Sequence, residues 1–549
     1  MPSIKRIAKC VVSAVLAGAM LCTSVAYADE PYTGYNYDWW GDPVPSQNGY
    51  VVDKVISGAD LGCGTLTQPS DMFFSKTEEL YIADTGYIGN YDSANQKGRI
   101  VIAAPDFDPA KTKSIEYLDF SEADSFMKKE NEGLANGTIS QQDYDKETSI
   151  YFRGPTGVFV DEDNTVYVAD NENNRVVAFT CDTDANGVGF GKVSHVYRRP
   201  DSSVYDASTT FNPSKVLVDA AKNVYICIKS ITKGAVVFSK EGEFSGYFGA
   251  NRVEATSEVI VNAIWKLIFT REQIKRMRKN VPVEISNFDI DSDNFVYTVT
   301  ESKSAETDVL KKLNSAGTNI FTNLGYSDYD FGDPLQKYYR GQTYASQITD
   351  VDIGEDGSIN LLDLKTGRVF QYDDECNLLF IFGGIGAQKG TFTTVNSVET
   401  RGTNVYVLDG RKCTITVFAQ TEFGAIVHNA ISMFNKGKYE EAREPWEEAL
   451  RRDSNYWLAY IGLGNAYLNQ GDYETAMDYF YYNSRSGYND AFKGWRMDFI
   501  RSNFTLFAVI ILVLLALIYI ISTIRGKQKA KKRAEADRMF KEQQKKEEV

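Results

Sequence analysis

Four oxygen-bearing side chains, Asp71, Asn287, Asp350 and Asn396, hold one equivalent place in a repeated strand–turn–strand pattern, and the two other copies put Gly157 and Lys215 there. Carboxylate and amide oxygens converging from such copies are what a hard cation such as calcium takes as ligands, at about 2.3–2.6 Å. Asp289 and Asp352 lie two residues further along their strands and could join them. The competing reading is a hydrated polar channel whose groups bond to one another and to water, and Lys215, which would repel a cation, favours it. A second set, Asp84, Asp170, Asp363 and Asp409, ends the second strand of its copy. An active site is needed once, so residues that recur in every good copy read as structural. They cap turns through side-chain to backbone bonds, with Arg175 and Arg368 as partners. No residue is assigned as catalytic: the sequence holds only two histidines, His195 and His428, which removes most histidine-based metal and triad chemistry.

The elements that must position these groups form the repeat itself. Its clearest copy runs Pro155-Thr156-Gly157-Val158-Phe159-Val160-Asp161, a turn, Val166-Tyr167-Val168-Ala169-Asp170, then Asn174-Arg175-Val176-Val177-Ala178-Phe179. Five others align with it, beginning at Asp71, Lys215, Asn287, Asp350 and Asn396. Each reads as two antiparallel strands with period-two alternation. A third strand follows in most copies, and a fourth ends in an aromatic-glycine signature, as in Phe244 to Gly249 and Leu379 to Gly383. Only the spacing from Asn360 to Tyr406 matches a plain propeller blade of about 40–50 residues; the longer spacings carry insertions. Four short strands per unit fit radial blades around a central channel, mainly β in class. Because Phe418 runs into helical sequence, Tyr50 to Ile56 is expected to supply the missing fourth strand of the last blade.

Through Pro155 to Asp161, the Val-Tyr-Val-Ala-Asp run and the Asn-Arg that follows, the chain resembles the NHL-repeat family of six-bladed β-propellers over roughly residues 50 to 420. Copies three and four depart from the pattern, with Ile228 and Thr300 in place of the recurring Asp. The resemblance implies an interaction module. A related propeller group includes gluconolactonases and similar metal-dependent hydrolases, whose glutamate ligand is not evident here.

From Phe423 the period changes from two to about 3.6. Gly437-Lys438-Tyr439-Glu440-Glu441-Ala442 and Gly471-Asp472-Tyr473-Glu474-Thr475-Ala476 lie 34 residues apart, the period of a tetratricopeptide repeat. A third helix, roughly Tyr488 to Asn503, caps them and leads into the uncharged run Phe504 to Ile524, which is long enough to cross a bilayer. Trp495 and Phe499 suit the membrane interface. Arg525, Lys527, Lys529, Lys531, Lys532 and Arg533 then place the C-terminus in the cytoplasm by the positive-inside rule. At the other end Lys5, Arg6 and Lys9, an apolar stretch and Ala26-Tyr27-Ala28 read as a cleavable signal peptide. The chain thus divides into a leader at 1–28, an aromatic strap at 29–49, the propeller at 50–420, the helical module at 421–503, the span at 504–524 and a basic tail at 525–549.

The net charge of −15 becomes more negative once the basic leader and tail are set aside, which argues against nucleic acid as a partner. Cys63, Cys181, Cys227, Cys376 and Cys413 show no C-x-x-C spacing and read as isolated thiols. Candidate partner surfaces are the inserted block around Trp265 and Phe269, which runs into a basic helix, and the tetratricopeptide groove around Leu458, Ile461, Asn465 and Leu468. The strap aromatics Tyr32, Tyr35, Tyr37, Trp39 and Trp40 could stack on sugar rings or pack over the ring of blades. The expectation is a non-enzymatic scaffold or sensor, tethered to the membrane with its bulk outside and engaging a protein partner there. Composite proteins of this layout resemble accessory components of bacterial transport systems, including ABC-type carbohydrate uptake. The alternatives are a calcium-dependent propeller hydrolase or lyase acting on a sugar lactone or polysaccharide, and a sugar-binding receptor.

Overall fold

The computed structural model describes residues 31–37, 42–86, 97–206, 209–229, 231–250, 284–301, 309–321, 331–333, 337–339, 342–344 and 346–547. The leader, Trp39 and Trp40, and the inserted block with Trp265 and Phe269 lie outside them. The chain falls into two compact units, residues 1–432 with 448–456, and residues 433–447 with 457–549.

Runs rich in Val, Ile, Tyr and Phe suit a pleated, half-buried surface, and in the first unit they form meanders. A strap hairpin of β1 (Tyr35–Tyr37) and β2 (Pro43–Pro45) is followed by β3 (Tyr50–Ser57). The first meander is β4 (Pro69–Phe74), β5 (Leu80–Asp84), β6 (Arg99–Ala103) and β7 (Lys113–Asp119). After helices α1 (Asp124–Ala135) and α2 (Gln141–Glu147) come β8 (Pro155–Val160), β9 (Val166–Asp170), β10 (Arg175–Thr183) and β11 (Gly189–Tyr197). The third meander is β12 (Pro213–Val218), β13 (Val224–Ile228), β14 (Gly234–Phe238) and β15 (Phe244–Gly249). The fourth has β16 (Asn287–Ile290), β17 (Val296–Val299) and β18 (Leu310–Leu313), and a small hairpin, β19 (Lys337–Tyr339) and β20 (Gln342–Tyr344), follows. The fifth is β21 (Ile348–Ile353), β22 (Ile359–Asp363), β23 (Arg368–Tyr372) and β24 (Leu378–Gly383). The sixth has β25 (Val395–Arg401), β26 (Asn404–Asp409) and β27 (Thr414–Gln420).

The first strands β4, β8, β12, β16, β21 and β25 neighbour one another in that order, and β25 returns to β4, so the meanders close into a propeller. As the sequence suggests, β3 supplies the fourth strand of the last blade, pairing antiparallel with β27 from Tyr50 opposite Gln420 to Ser57 opposite Thr414. One feature departs from a plain propeller: β7 and β11 pair in parallel and join blades one and two into one sheet. Gly189 permits this, because a Cβ there would sit 2.4 Å from the Ser114 carbonyl oxygen.

The helical sequence begins with α3 (Glu422–Asn435) and α4 (Tyr439–Arg452), then α5 (Trp457–Gln470), α6 (Tyr473–Phe480), α7 (Arg485–Ser502) and α8 (Phe504–Glu547). Within the first unit Phe423 of α3 meets Tyr456 at 5.3 Å between rings, and the buried Tyr456 hydroxyl donates to the Leu379 carbonyl at 3.3 Å. Within the second unit small residues let the helices approach. Gly462 lies against the Trp446 indole, Gly464 and Gly487 against the Phe480 ring, and Gly494 against Tyr473. Asp472 and Ser484 cap α6 and α7 by accepting from the Thr475 and Gly487 amides at 3.2 and 3.1 Å. The segment of α8 from Phe504 is apolar, exposed and long enough to cross a membrane.

Candidate functional site: the axial channel

Register decides which side chains reach the axis. In five of the six first strands the pairing slips by one residue near the start, at Ser70, Thr156, Ser214, Thr349 and Asn396. Three of these bulged residues latch the next blade. Ser70 Oγ donates to the Pro155 carbonyl at 2.8 Å, Thr156 Oγ1 to that of Pro213 at 3.2 Å, and Asn396 Nδ2 to that of Pro69 at 2.8 Å. Asn396 therefore leaves the set in which the sequence alignment places it, and Ser397 takes the position. The cause is a shorter hairpin: residues 75–79 separate Phe74 from Leu80 and 354–358 separate Ile353 from Ile359, but only 401–404 separate Thr400 from Val405. Counting back from Asp409 hence overshoots by one residue.

With that correction the equivalent positions are Asp71, Gly157, Lys215, Asn287, Asp350 and Ser397, and two residues on, Phe73, Phe159, Leu217, Asp289, Asp352 and Glu399. Glu399 was hidden from sequence reading by the same one-residue slip. Lys215 Nζ pairs with Asp71 Oδ1 across the blade between them. Gly157 in that intervening blade has no room for a side chain, since a Cβ would meet the Lys215 Cα at 2.8 Å.

The carboxylates also close the inner edges of the blades. An innermost strand leaves backbone N–H groups unpaired on its axial side, and each needs an acceptor. Asp71 Oδ2 accepts from the Val158 amide at 2.9 Å, Asp289 Oδ2 from Ile353 at 2.7 Å, Asp350 Oδ2 from Val398 at 2.7 Å and Glu399 Oε2 from Phe74 at 3.4 Å. Each bond joins one blade to the next. Asp350 Oδ1 also takes the Asn287 amide group. The four residues read as metal ligands are thus engaged with Lys215, with each other, with backbone amides or with the Pro69 carbonyl. Among the described residues no three His, Cys, Asp or Glu side chains are arranged to hold a metal ion.

Crowding so many carboxyls out of water disfavours their ionised forms. Burial raises Asp350, and the nearby Lys215 only partly offsets it. Burial also raises Asp352, against the hydrogen bonds from Thr400 and Asn360. Asp289 is pushed well up by burial and by Asp352, and Glu399 by burial and then by Asp352 and Asp289. Lys215 loses some basicity to burial, but Asp71 and Asp350 raise it on balance.

A polar chain leads outward from this cluster through blade five. Asn360 Nδ2 donates to Asp352 Oδ2 at 3.0 Å, and Gln371 Nε2 donates both to Asn360 Oδ1 and to the Tyr50 hydroxyl at 3.0 Å. That fixes Gln371 Oε1 toward His428 Nε2 of α3, 3.0 Å away, while His428 Nδ1 faces Asp356 Oδ2 at 2.7 Å. The imidazole thus bridges the Gln371 amide and the Asp356 carboxylate. Burial of Asp356 raises its pKa, but the His428 contact outweighs that and holds the carboxyl well below its usual range. A depressed carboxyl contributes stability that is complete above its unfolded value near ~4 and is lost as pH falls through the folded one. At pH 7 Asp356→Asn therefore releases α3, raising hydrogen exchange of the α3 amides by about tenfold, and the difference between wild type and variant narrows as pH falls below about 4.

The recurring aspartates are structural, as their repetition implies. Asp84 accepts from the Gln68 amide at 2.9 Å, Asp170 from Arg153 at 2.7 Å, Asp363 from Gln347 at 2.9 Å and Asp409 from Thr393 at 2.7 Å. Each carboxylate pins the chain entering its own blade. In blade four Ser286 does this in reverse, its Oγ accepting from the Glu301 amide at 2.8 Å. Arg175 is a partner of Asp170 at 2.9 Å, whereas Arg368 reaches Asp333 at 3.8 Å.

The strap packs on the propeller. Tyr37 is buried and its hydroxyl donates to Asp333 at 2.7 Å, the Arg368 guanidinium lies 5.1 Å over the Tyr35 ring, and the Tyr32 hydroxyl donates to the Tyr50 carbonyl at 3.0 Å. In the second unit Leu458 is buried, and Ile461 and Leu468 pack against the cluster of Ala476, Phe480 and Ala491. Asn465 accepts the Asn469 side-chain amide on its carbonyl at 2.9 Å.

The chain matches the NHL repeat over residues 152–179 and the TPR repeat over residues 433–471. It thus carries both repeat types in the places its periodicity marks, and both suggest protein–protein interaction. No curated protein sequence matches the chain. Solved structures similar to it include virginiamycin B lyase from Staphylococcus aureus, at 7% identity and a TM-score of 0.34 over 67% of this chain and 99% of that one. A streptogramin B lyase is similar at 8% identity and a TM-score of 0.35, over 72% and 96%. A protein from Lactobacillus plantarum is similar at 12% identity and a TM-score of 0.35, over 65% and 82%.

Proposed function

We propose that the protein is a membrane-tethered interaction scaffold or sensor, with the propeller and helical module outside the cell membrane, α8 crossing it and a basic cytoplasmic tail. In this reading the propeller recognises a protein or small ligand, and the tetratricopeptide helices engage a neighbouring membrane complex, such as an ABC-type carbohydrate transporter. The observation that carries it is the use of the axial carboxylates: Asp71, Asp289, Asp350 and Glu399 accept amide bonds that join one blade to the next. Groups engaged in closing a ring are poor candidates for binding and releasing substrate. The NHL and TPR repeats support the same reading.

The calcium-dependent hydrolase or lyase remains the second reading, favoured by the convergence of five carboxylates, Glu399 included, near the axis. A carbohydrate receptor has less support, since the strap tyrosines are engaged in packing. Heat denaturation of the full chain in detergent, with and without calcium, separates the first two. Calcium at 100 times its Kd stabilises a binding protein by about 2.7 kcal/mol. The scaffold reading expects an unchanged midpoint. A calcium-dependent rise that vanishes in Asp350→Ala with Glu399→Ala would put the enzyme first.

A further inference from the structure

Helix α7 packs one side on α6, through Gly487, Ala491 and Gly494, and leaves Phe492 and Phe499 exposed on another side. On that side Phe492, Trp495 and Phe499 stack as a ladder, their ring centroids 5.8 and 5.6 Å apart and their planes within 20° and 13° of parallel. Phe492 and Phe499 are 41% and 48% exposed, which is unusual for a side chain of that size. Trp495 is held in register by its indole N–H, which donates to Glu474 Oε1 at 3.1 Å. The ladder continues to Phe507 of α8, 6.2 Å from the Phe499 ring. Beside it at helical spacing stand Arg485 and Arg496, which have no ion-pair partner among the described residues, whereas Lys493 is paired with Asp490. Asn503, the single residue between α7 and α8, departs from helical geometry with φ −103° and ψ 17°.

We infer that this face of α7 is a docking surface for the phospholipid headgroup layer of the bilayer that α8 crosses. The inference rests on the membrane-tethered reading and goes beyond it, because it lays the helix on the lipid instead of leaving it as a free stalk. Three observations select lipid as the occupant. The face is continuous with the apolar surface of α8. Its rings are aromatic and include a tryptophan, the side chains that collect where acyl chains meet headgroups. Its unpaired arginines complement acidic phospholipid phosphates. A straight α-helix would carry Trp495 about 14 Å and Phe492 about 18 Å beyond Phe504, above a headgroup layer only about 5–8 Å deep. The inference therefore requires the chain to turn at Asn503, where the backbone leaves helical geometry, so that the ladder reaches this layer.

The test uses the full chain in bilayer discs of phosphatidylcholine and phosphatidylglycerol, with and without acyl chains brominated near the headgroup. Subtracting the fluorescence of Trp495→Phe isolates the indole in question. The expected component is blue-shifted and is quenched about twofold by the brominated lipid, as for a tryptophan at the interface. Phe492→Ser with Phe499→Ser, which leaves the indole in place, should abolish most of that quenching. A red-shifted, unquenched component in protein that still floats with vesicles would overturn the inference and point to a protein partner for this face. Protein that fails to float would overturn the membrane-tethered reading along with it.

Discussion

Replacing Arg175 by alanine lowers the stability of the propeller by about 3–5 kcal/mol, the cost of stripping one partner from a buried ion pair. Both side chains of the Arg175–Asp170 pair are fully buried, and the guanidinium is committed to more than the carboxylate. Its Nη atoms donate to the carbonyls of Glu147 and Ser149, each at 2.7 Å, so one side chain holds the blade strand β10 to the end of the inserted helices. Without it the fully buried Asp170 carboxylate loses its cation and the Glu147 and Ser149 carbonyls lose their donors. The guanidinium denaturation midpoint, followed by near-ultraviolet circular dichroism, measures the effect. Lys76→Ala breaks an ion pair whose side chains are 71% and 75% exposed, and should leave the midpoint where it is. A small effect of Arg175→Ala would mean that the recurring aspartates are dispensable to the ring and free for another role.

The second large effect is one of pH. Burial raises the Asp350, Asp352, Asp289 and Glu399 carboxyls, so the folded propeller binds protons that the unfolded chain releases above a pH of about 4. Where the folded state holds more protons, stability falls as pH rises. Acidification from pH 8 to 5 should therefore raise the thermal midpoint, by about 5 °C, taking about 1.4 kcal/mol per shifted pKa unit. Below pH 4 the trend reverses, because depressed carboxyls such as Asp356 then lose their ionised partnership with His428. Glu399→Gln removes one buried acid without removing its volume and should flatten the rise between pH 8 and 5. An ascending midpoint from pH 5 to 8 in the wild type would contradict the account.

The blades were legible in the sequence because period-two alternation and turn residues are local signals, and so was the helical module, because Gly437 and Gly471 mark its period. The closing strand at Tyr50 could be inferred from what the last blade lacked. The capping role of Asp84, Asp170, Asp363 and Asp409 followed from repetition alone. Register was not legible: a hairpin one residue shorter moved Asn396 off the axis and brought Glu399 to it, and nothing in either residue's neighbours announces that. The parallel pairing of β7 with β11 was equally hidden, since it joins strands separated by two helices. So was the chain from Asp352 to His428, whose members come from β21, β22, β23 and α3 and meet only when the ring closes.

The central claim is that the axial carboxyls close the ring in a partly protonated state instead of forming a cation's ligand shell. Infrared difference spectroscopy between the wild type and Glu399→Gln at pH 7 addresses it most directly, because protonated and ionised carboxyls absorb at separate frequencies. The account predicts a protonated carboxyl band in the wild type that the variant lacks and that millimolar calcium leaves in place. Loss of that band on adding calcium, with an ionised carboxylate band in its stead, would contradict it.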